Sequence, residues 1–178
     1  MTGFNNAAAS FGSSRHDHRH CIESALANAA QICARRGARL TALRQRVLER
    51  VWRSHQPVGA YEILRALSRD QGPERGPVAP PTVYRALEFL LAHGLVHRIE
   101  SLNAYVGCAH PDGSHGGQFL ICSGCGAAAE VHDPRVDAAI ARRAEELGFV
   151  ARRRTVEIEG LCPSCRTAES ARGTDHAG

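Results

Sequence analysis

The sequence has no lysine at all; every one of its 22 basic residues is arginine. It has no uninterrupted run of ~18 apolar residues, which excludes a transmembrane helix. Residues 1–20 are mostly Ala, Ser, Asn, Gly and His and lack the apolar stretch of a secretory signal, so a cytoplasmic location is expected. No grouping of nucleophile, general base and oxyanion donor is recognisable, so catalysis on a small-molecule substrate is not expected. The missing lysine has a compositional explanation in codon usage. It also has a chemical one, because the planar fork of arginine matches phosphate oxygens and the guanine edge.

The chain has 178 residues, with 43% hydrophobic and 22% charged residues. That is enough for one medium domain or two small ones. The net charge of +4 is placed unevenly. Residues 37–100 carry ten arginines against six acids, whereas residues 101–166 carry seven against eight. A basic segment beside a nearly neutral one implies that only one half meets a polyanion.

Hydrophobic periodicity divides the chain further. Residues 1–20 read as a disordered tail in which His16, His18 and His20 precede Cys21; metal capture there competes with a simply solvated tail. A helix is predicted from Ile22 to Arg36, and a second from an N-cap at Thr41 to about Ser54, with Arg44, Arg46, Arg50 and Arg53 on its outside. A third covers Ala60–Arg69. After the proline- and glycine-rich QGPERGPVAP, a fourth opens at Pro81-Thr82 and buries Val83, Ala86, Leu87, Leu90 and Leu91. Leu95–Glu100 and Ala104–Cys108 then read as a β-hairpin. Three helices followed by a hairpin make a winged helix, whose last helix presents its N-terminal residues to the major groove.

Past the flexible PDGSHGG, strands are predicted at Gln118–Cys122 and Ala127–Val131. A helix follows over Pro134–Leu147 with Val136, Ile140 and Leu147 inward, then an alternating segment, Arg152–Glu159, with Val156 and Ile158 on one face. So small a half, ~60 residues, is marginal alone and calls for a metal staple or a partner subunit. The expected class is therefore α+β. Its segments are a tail at 1–20, a winged-helix domain at 21–100, a metal-binding domain at 101–166 and a polar tail at 167–178.

Three sets of residues carry chemistry. Four of the seven cysteines form two pairs, Cys122-x-x-Cys125 and Cys162-x-x-Cys165. Two pairs of thiolates make a closed tetrahedral set, the arrangement of structural zinc. The alternative is a redox dithiol, which needs no second pair. His97, Cys108, His115 and Glu130 are potential metal donors spread over both halves, but spacing does not assemble them, and each alone is equally a strand, core or loop residue. Thr82, Tyr84 and Arg85 open the fourth helix, where arginine can fork onto guanine and threonine can reach a phosphate.

The strings LTALRQ, AYEIL, PPTVYRALEFLLAHGLVHRIES, NAYVGC, FLICSGCG and LCPSC together resemble the ferric uptake regulator superfamily, and within it the zinc uptake regulator branch, over residues 21–166. The resemblance implies a homodimer with an N-terminal winged helix and a C-terminal dimerisation domain, repressing zinc-uptake genes when zinc is abundant. Carried over residue by residue, Cys122, Cys125, Cys162 and Cys165 match a structural zinc site. His97, Cys108, His115 and Glu130 match a regulatory zinc site, giving two Zn²⁺ per subunit. Tyr84 and Arg85 match base-contacting positions; Arg44 and Tyr61 match positions near the backbone of operator DNA. His110 also falls in the loop before His115, and Arg65 and Ser68 stand where relatives carry an acidic–basic pair between neighbouring dimers. The rival readings are the same fold sensing iron, manganese or peroxide, a thiol redox enzyme, and a zinc-stabilised interaction module without DNA.

Overall fold

The structure, a computed structural model, describes residues 11, 18–54, 56–71, 78–111 and 117–173. It divides into two units, Gly12–Gly113 and a second that covers Ser114–Gly178. The expected boundary at residue 100 falls too early. Strand β3 (Ala104–Gly107) pairs antiparallel with β2 (Val96–Ile99), so cutting between them would leave an open ladder.

The first unit is built on four helices. Helix α1 spans His18–Arg35 and α2 spans Ala42–Val51. α1 starts ahead of the expected Ile22, within the tail expected to be disordered, so His18 and His20 are helical, while His16 lies outside the described residues. Thr41 caps α2 as expected, its hydroxyl accepting from the Arg44 N–H. Strand β1 (Val58–Gly59) leads into α3 (Ala60–Gln71), and α4 covers Pro80–Ala92. The two prolines at the start of α4 give up N–H groups that would have no intrahelical partner. Gly94, at φ 67°, ends it, and the Leu95 N–H returns to the Leu90 carbonyl at 2.9 Å.

The apolar stripes of these helices meet in one core that includes Ile32, Leu48, Ile63, Leu67, Leu87 and Leu90. The wing is a three-stranded antiparallel sheet in the order β1-β3-β2, with Val58 opposite Tyr105 and His97 opposite Val106. Its turn places Asn103 at φ 47°, a conformation asparagine tolerates better than most residues, and Arg98 donates to the Asn103 side chain at 2.9 Å.

The second unit is a sheet in the order β5-β4-β6, from β4 (Gly117–Cys122), β5 (Ala128–Val131) and β6 (Thr155–Gly160). β4 pairs antiparallel with β5 and parallel with β6; the parallel connection runs through α5 (Pro134–Glu146). Buried Gln118 bolts α5 to the sheet. Its amide donates to the Asp133 carbonyl at 3.1 Å and to the Asp137 carboxylate at 3.2 Å, and its oxygen accepts from the Asp133 N–H at 3.2 Å.

One expectation fails in this unit. Val136, Ile140 and Leu147 do not face inward: α5 has no buried residue, and Leu147 is 67% exposed. The periodicity identified an apolar face but not what covers it. The polar tail expected from residue 167 begins as part of helix α6 (Pro163–Gly173), with proline in its first turn and the Arg166 N–H closing onto the Cys162 carbonyl at 2.9 Å.

Candidate metal centre and nucleic-acid interface

Four cysteines converge at one end of the second unit. Cys122 ends β4, Cys125 lies in the turn toward β5, Cys162 immediately precedes α6 and Cys165 lies in its first turn. Their sulfurs all lie within 4.8 Å of one another, with Cys125 and Cys162 at 3.9 Å. The knuckle around Cys122 is made by the backbone: Gly126 N–H donates to the Cys122 carbonyl and Cys122 N–H to the Ala127 carbonyl, both at 2.8 Å. Gly126 takes φ 73°, where a side chain would be strained. Gly124 is needed for space, since a Cβ there would stand 3.0 Å from both Cβ and Sγ of Cys165.

The thiols are polarised by this geometry. The Cys162 N–H points at Cys122 Sγ from 3.3 Å, and this donation is the main reason the Cys122 thiol falls to about 6. Cys165 is pushed up to about 12, chiefly by its hydrogen bonding with the sulfurs of Cys162 and Cys122. Cys122 thus ionises readily, whereas Cys125 and Cys165 resist joining it. A dication reverses that balance by supplying the charge that four crowded thiolates lack. Four sulfurs leave no open coordination position, so the set suits a structural Zn²⁺ and not a catalytic one.

In the first unit, His97 lies half-buried on β2, and Cys108 is buried just after β3, with its N–H bonded to the Leu95 carbonyl at 3.1 Å. A ring nitrogen of His97 and Cys108 Sγ lie within 4.8 Å of each other, so this unit brings together two of the four expected regulatory donors. Glu130 is half-buried on β5 of the second unit, opposite Phe119. His115 lies outside the described residues.

The candidate nucleic-acid face is the outer side of α4. Thr82, Tyr84 and Arg85 are all exposed in its first two turns, with Tyr84 at 51%. Tyr61, on the first turn of α3, is 67% exposed, and the Arg65 guanidinium lies 5.2 Å from its ring centroid. The arginines of α2 are mostly engaged inside their own unit. Arg44 lies 3.5 Å over the Phe89 ring and donates to the Arg39 carbonyl, and Phe89 stacks in turn on His93 at 4.0 Å. Arg46 donates to the Leu67 carbonyl at 3.2 Å, and Arg50 pairs with Asp70. Arg44 therefore positions α4 through Phe89, whatever else it touches.

Sequence reasoning missed one residue that shapes the first unit's donors. A Cβ on Gly107 would stand 2.2 Å from Trp52 Cε2, so the glycine before Cys108 exists to admit the indole. The available signal was a glycine inside an alternating strand, which marks close approach of another group.

The model of the ferric uptake regulator family matches residues 35–159. The zinc uptake regulation protein of Escherichia coli (strain K12) is 40% identical over 148 residues, which cover 83% of this chain and 84% of that protein. Among solved structures, a zinc uptake regulator complexed with zinc and DNA matches with a TM-score of 0.77 at 39% identity, covering 84% of this chain and 97% of the other. The crystal structure of holo XcZur matches with a TM-score of 0.73 at 42% identity, covering 81% and 98%. With motifs, fold and thiol cluster in agreement, the chain belongs to the ferric uptake regulator family.

Proposed function

We propose that this protein is a zinc-responsive transcriptional repressor that binds operator DNA as a homodimer and controls zinc-uptake genes, in the cytoplasm and without catalysis. The observation that carries the reading is the 40% identity, across both units, to a zinc uptake regulation protein. The exposed Thr82, Tyr84 and Arg85 at the start of α4 supply the base-reading surface, with Tyr61 beside the phosphates.

The dimer is supported by the bare apolar face of the second unit. Ile140, Leu147, Phe149, Val150 and Ile158 are all exposed, and α5 buries nothing. A second copy would cover these exposed residues, and a two-fold dimer would bury the same patch on both subunits.

Two Zn²⁺ per subunit are proposed. Cys122, Cys125, Cys162 and Cys165 would hold the structural ion. His97, Cys108, His115 and Glu130 would hold the regulatory one, and a thiolate with two imidazoles and a carboxylate suits tetrahedral Zn²⁺. When bound, the regulatory ion supplies a link between donors of the two units. His97 and Cys108 are anchored by the wing's backbone pairing, so they pass that restraint to β2 and β3 and hence to α4. Without the restraint the units sample many angles, and few place two recognition helices one helical turn of DNA apart. A ~100-fold change in DNA affinity needs only ~2.7 kcal/mol of coupling.

The test is the metal content of the purified protein, followed by zinc-titrated binding to operator DNA. Two zincs per subunit, one easily chelated with DNA binding lost alongside it, is the expected result. The Cys108→Ser variant should keep the fold and lose the zinc response. DNA binding indifferent to zinc but responsive to iron or manganese would keep the fold and overturn the signal.

A further inference from the structure

The first unit contains a cavity of about 240 Å³ beside Cys108. One wall is the first turns of α1, with His20, Cys21 and Asn28; the other is Trp52, Leu95 and Cys108. Two thiols from opposite ends of the unit's sequence therefore line one void. All seven cysteines are present without a disulfide.

We propose that Cys21 and Cys108 form a site of oxidative modification, closing to a disulfide across this cavity when the protein meets a hydroperoxide. Cys21 is half-buried and Cys108 is 3% exposed, so Cys21 is the thiol that the oxidant reaches first. Its sulfur attacks the peroxide O–O bond, becoming a sulfenic acid and releasing one water. Cys108 then displaces the hydroxyl, forming the S–S bond and releasing a second water. The peroxide takes two electrons and both thiols lose their protons, so the step balances with hydrogen peroxide alone.

Closure would draw the start of α1 toward Cys108. A disulfide needs the two Cα atoms within about 7 Å. Cys21 is the fourth residue of α1, in a turn that carries no acidic residue and whose Arg19 and His20 are exposed. Both thiols line one void, so closure draws that end of the helix into space that no side chain fills. Among the described residues the buried Trp52 Nε1 has no hydrogen-bond partner, so none of them braces the cavity open through the indole N–H. The unit's remaining thiol, Cys33, is 2% exposed in the core, where burial pushes its pKa up; it does not compete.

The regulatory consequence rests on the proposed role of Cys108 as a zinc ligand. A disulfide would remove the one thiolate from the regulatory donors, so oxidation would release operator DNA until a reductant restored it. Bound zinc would in turn shield Cys108.

The experiment treats the full-length protein, with its structural zinc retained and its chelatable zinc removed, with hydrogen peroxide. Peptides are then mapped by mass spectrometry without reduction. The expected product joins the Cys21 and Cys108 peptides, is absent from the Cys21→Ser variant, is reversed by dithiothreitol and is suppressed by prior addition of zinc. Recovery of Cys21 and Cys108 unlinked after oxidation would overturn the proposal. In parallel, peroxide should abolish zinc-dependent operator binding reversibly in the unsubstituted protein and spare Cys21→Ser. Equal loss in both would overturn the regulatory consequence. A linked pair with operator binding and its zinc dependence intact would support the modification and instead overturn the role given to Cys108.

Discussion

Replacing Gly107 with alanine puts the packing beside Cys108 to a direct test. The added Cβ would stand 2.2 Å from Trp52 Cε2, 2.4 Å from Nε1 and 2.6 Å from Cζ2. Carbon atoms in contact sit about 3.5–4.0 Å apart, so the indole must retreat by more than ~1 Å. Gly107 pairs with Val96 in the wing, which keeps the strand from yielding, and Trp52 itself packs on the core. The adjustment falls on the ring, and overpacking of this kind costs about 1–3 kcal/mol. In a unit of this size each kcal/mol lowers the melting midpoint by about 4–8 °C. Thermal unfolding followed by circular dichroism reads the loss, and the emission of Trp52, the sole tryptophan, reads the displacement. A double-mutant cycle with Trp52→Leu isolates the cause, since the alanine meets no ring in that background. The two changes should couple by about 1–2 kcal/mol in the direction of rescue. Additivity within about 0.5 kcal/mol would refute the steric argument.

Other expectations follow from the same geometry. Arg85→Ala should weaken operator binding by about 1–3 kcal/mol and relax base preference, measured against a panel of altered operators; a loss equal on all sequences would mean a phosphate contact only. Arg44→Ala should lower the thermal stability of the first unit as well as DNA affinity, because its guanidinium covers Phe89; unchanged melting would place its role wholly at the DNA. Phe149→Ser should raise the dimer dissociation constant in sedimentation by at least tenfold, since an aromatic side chain that leaves water on association contributes about 1.5–3 kcal/mol. Asp133, held near about 2 by the Arg135 side chain and N–H, gives α5 stability that is complete above the ordinary carboxylate value and is lost as pH falls toward about 2. Asp133→Asn should flatten acid unfolding of the second unit over that window.

What the sequence revealed depended on how local each signal is. The Thr41 cap, the stripe through Val83, Leu87 and Leu90, and Gly94 at its end are all set by neighbours a turn away, and helices α2 and α4 appear nearly as expected. Cys122 and Cys125 share a knuckle, so their spacing alone announced a metal-binding pair. Strand β1 was invisible because two residues, Val58 and Gly59, carry no periodicity; pairing with Tyr105 and Ala104 defines them. Helix α6 was invisible because its sequence is polar, and it is organised from one end by Pro163 and the cysteines. The proposed regulatory donors are grouped only through resemblance, since His97 and Cys108 meet by the β2–β3 register and not by sequence distance.

The two units differ in how they satisfy their apolar residues, and this difference constrains what the chain can do alone. The first unit closes its own core, with Leu48, Ile63, Leu67, Leu87 and Leu90 all excluded from water. The second has Phe119 and Ile121 buried but leaves Phe149 at 68% and Val150 at 82% exposure. A sheet of three strands with two short helices leaves apolar surface bare, and Gln118, the enclosed polar residue of the sheet, fastens α5. Four thiols at one end cross-link β4 to α6 once an ion neutralises them, but they do nothing for the apolar face at α5. Stability of this unit should therefore depend on two separable contributions, the ion and a second subunit. Chelation that strips the structural ion should lower melting even at high protein concentration, whereas dilution should lower it even with zinc in excess. A melting temperature independent of concentration while zinc is retained would mean that the α5 face is not where two copies meet.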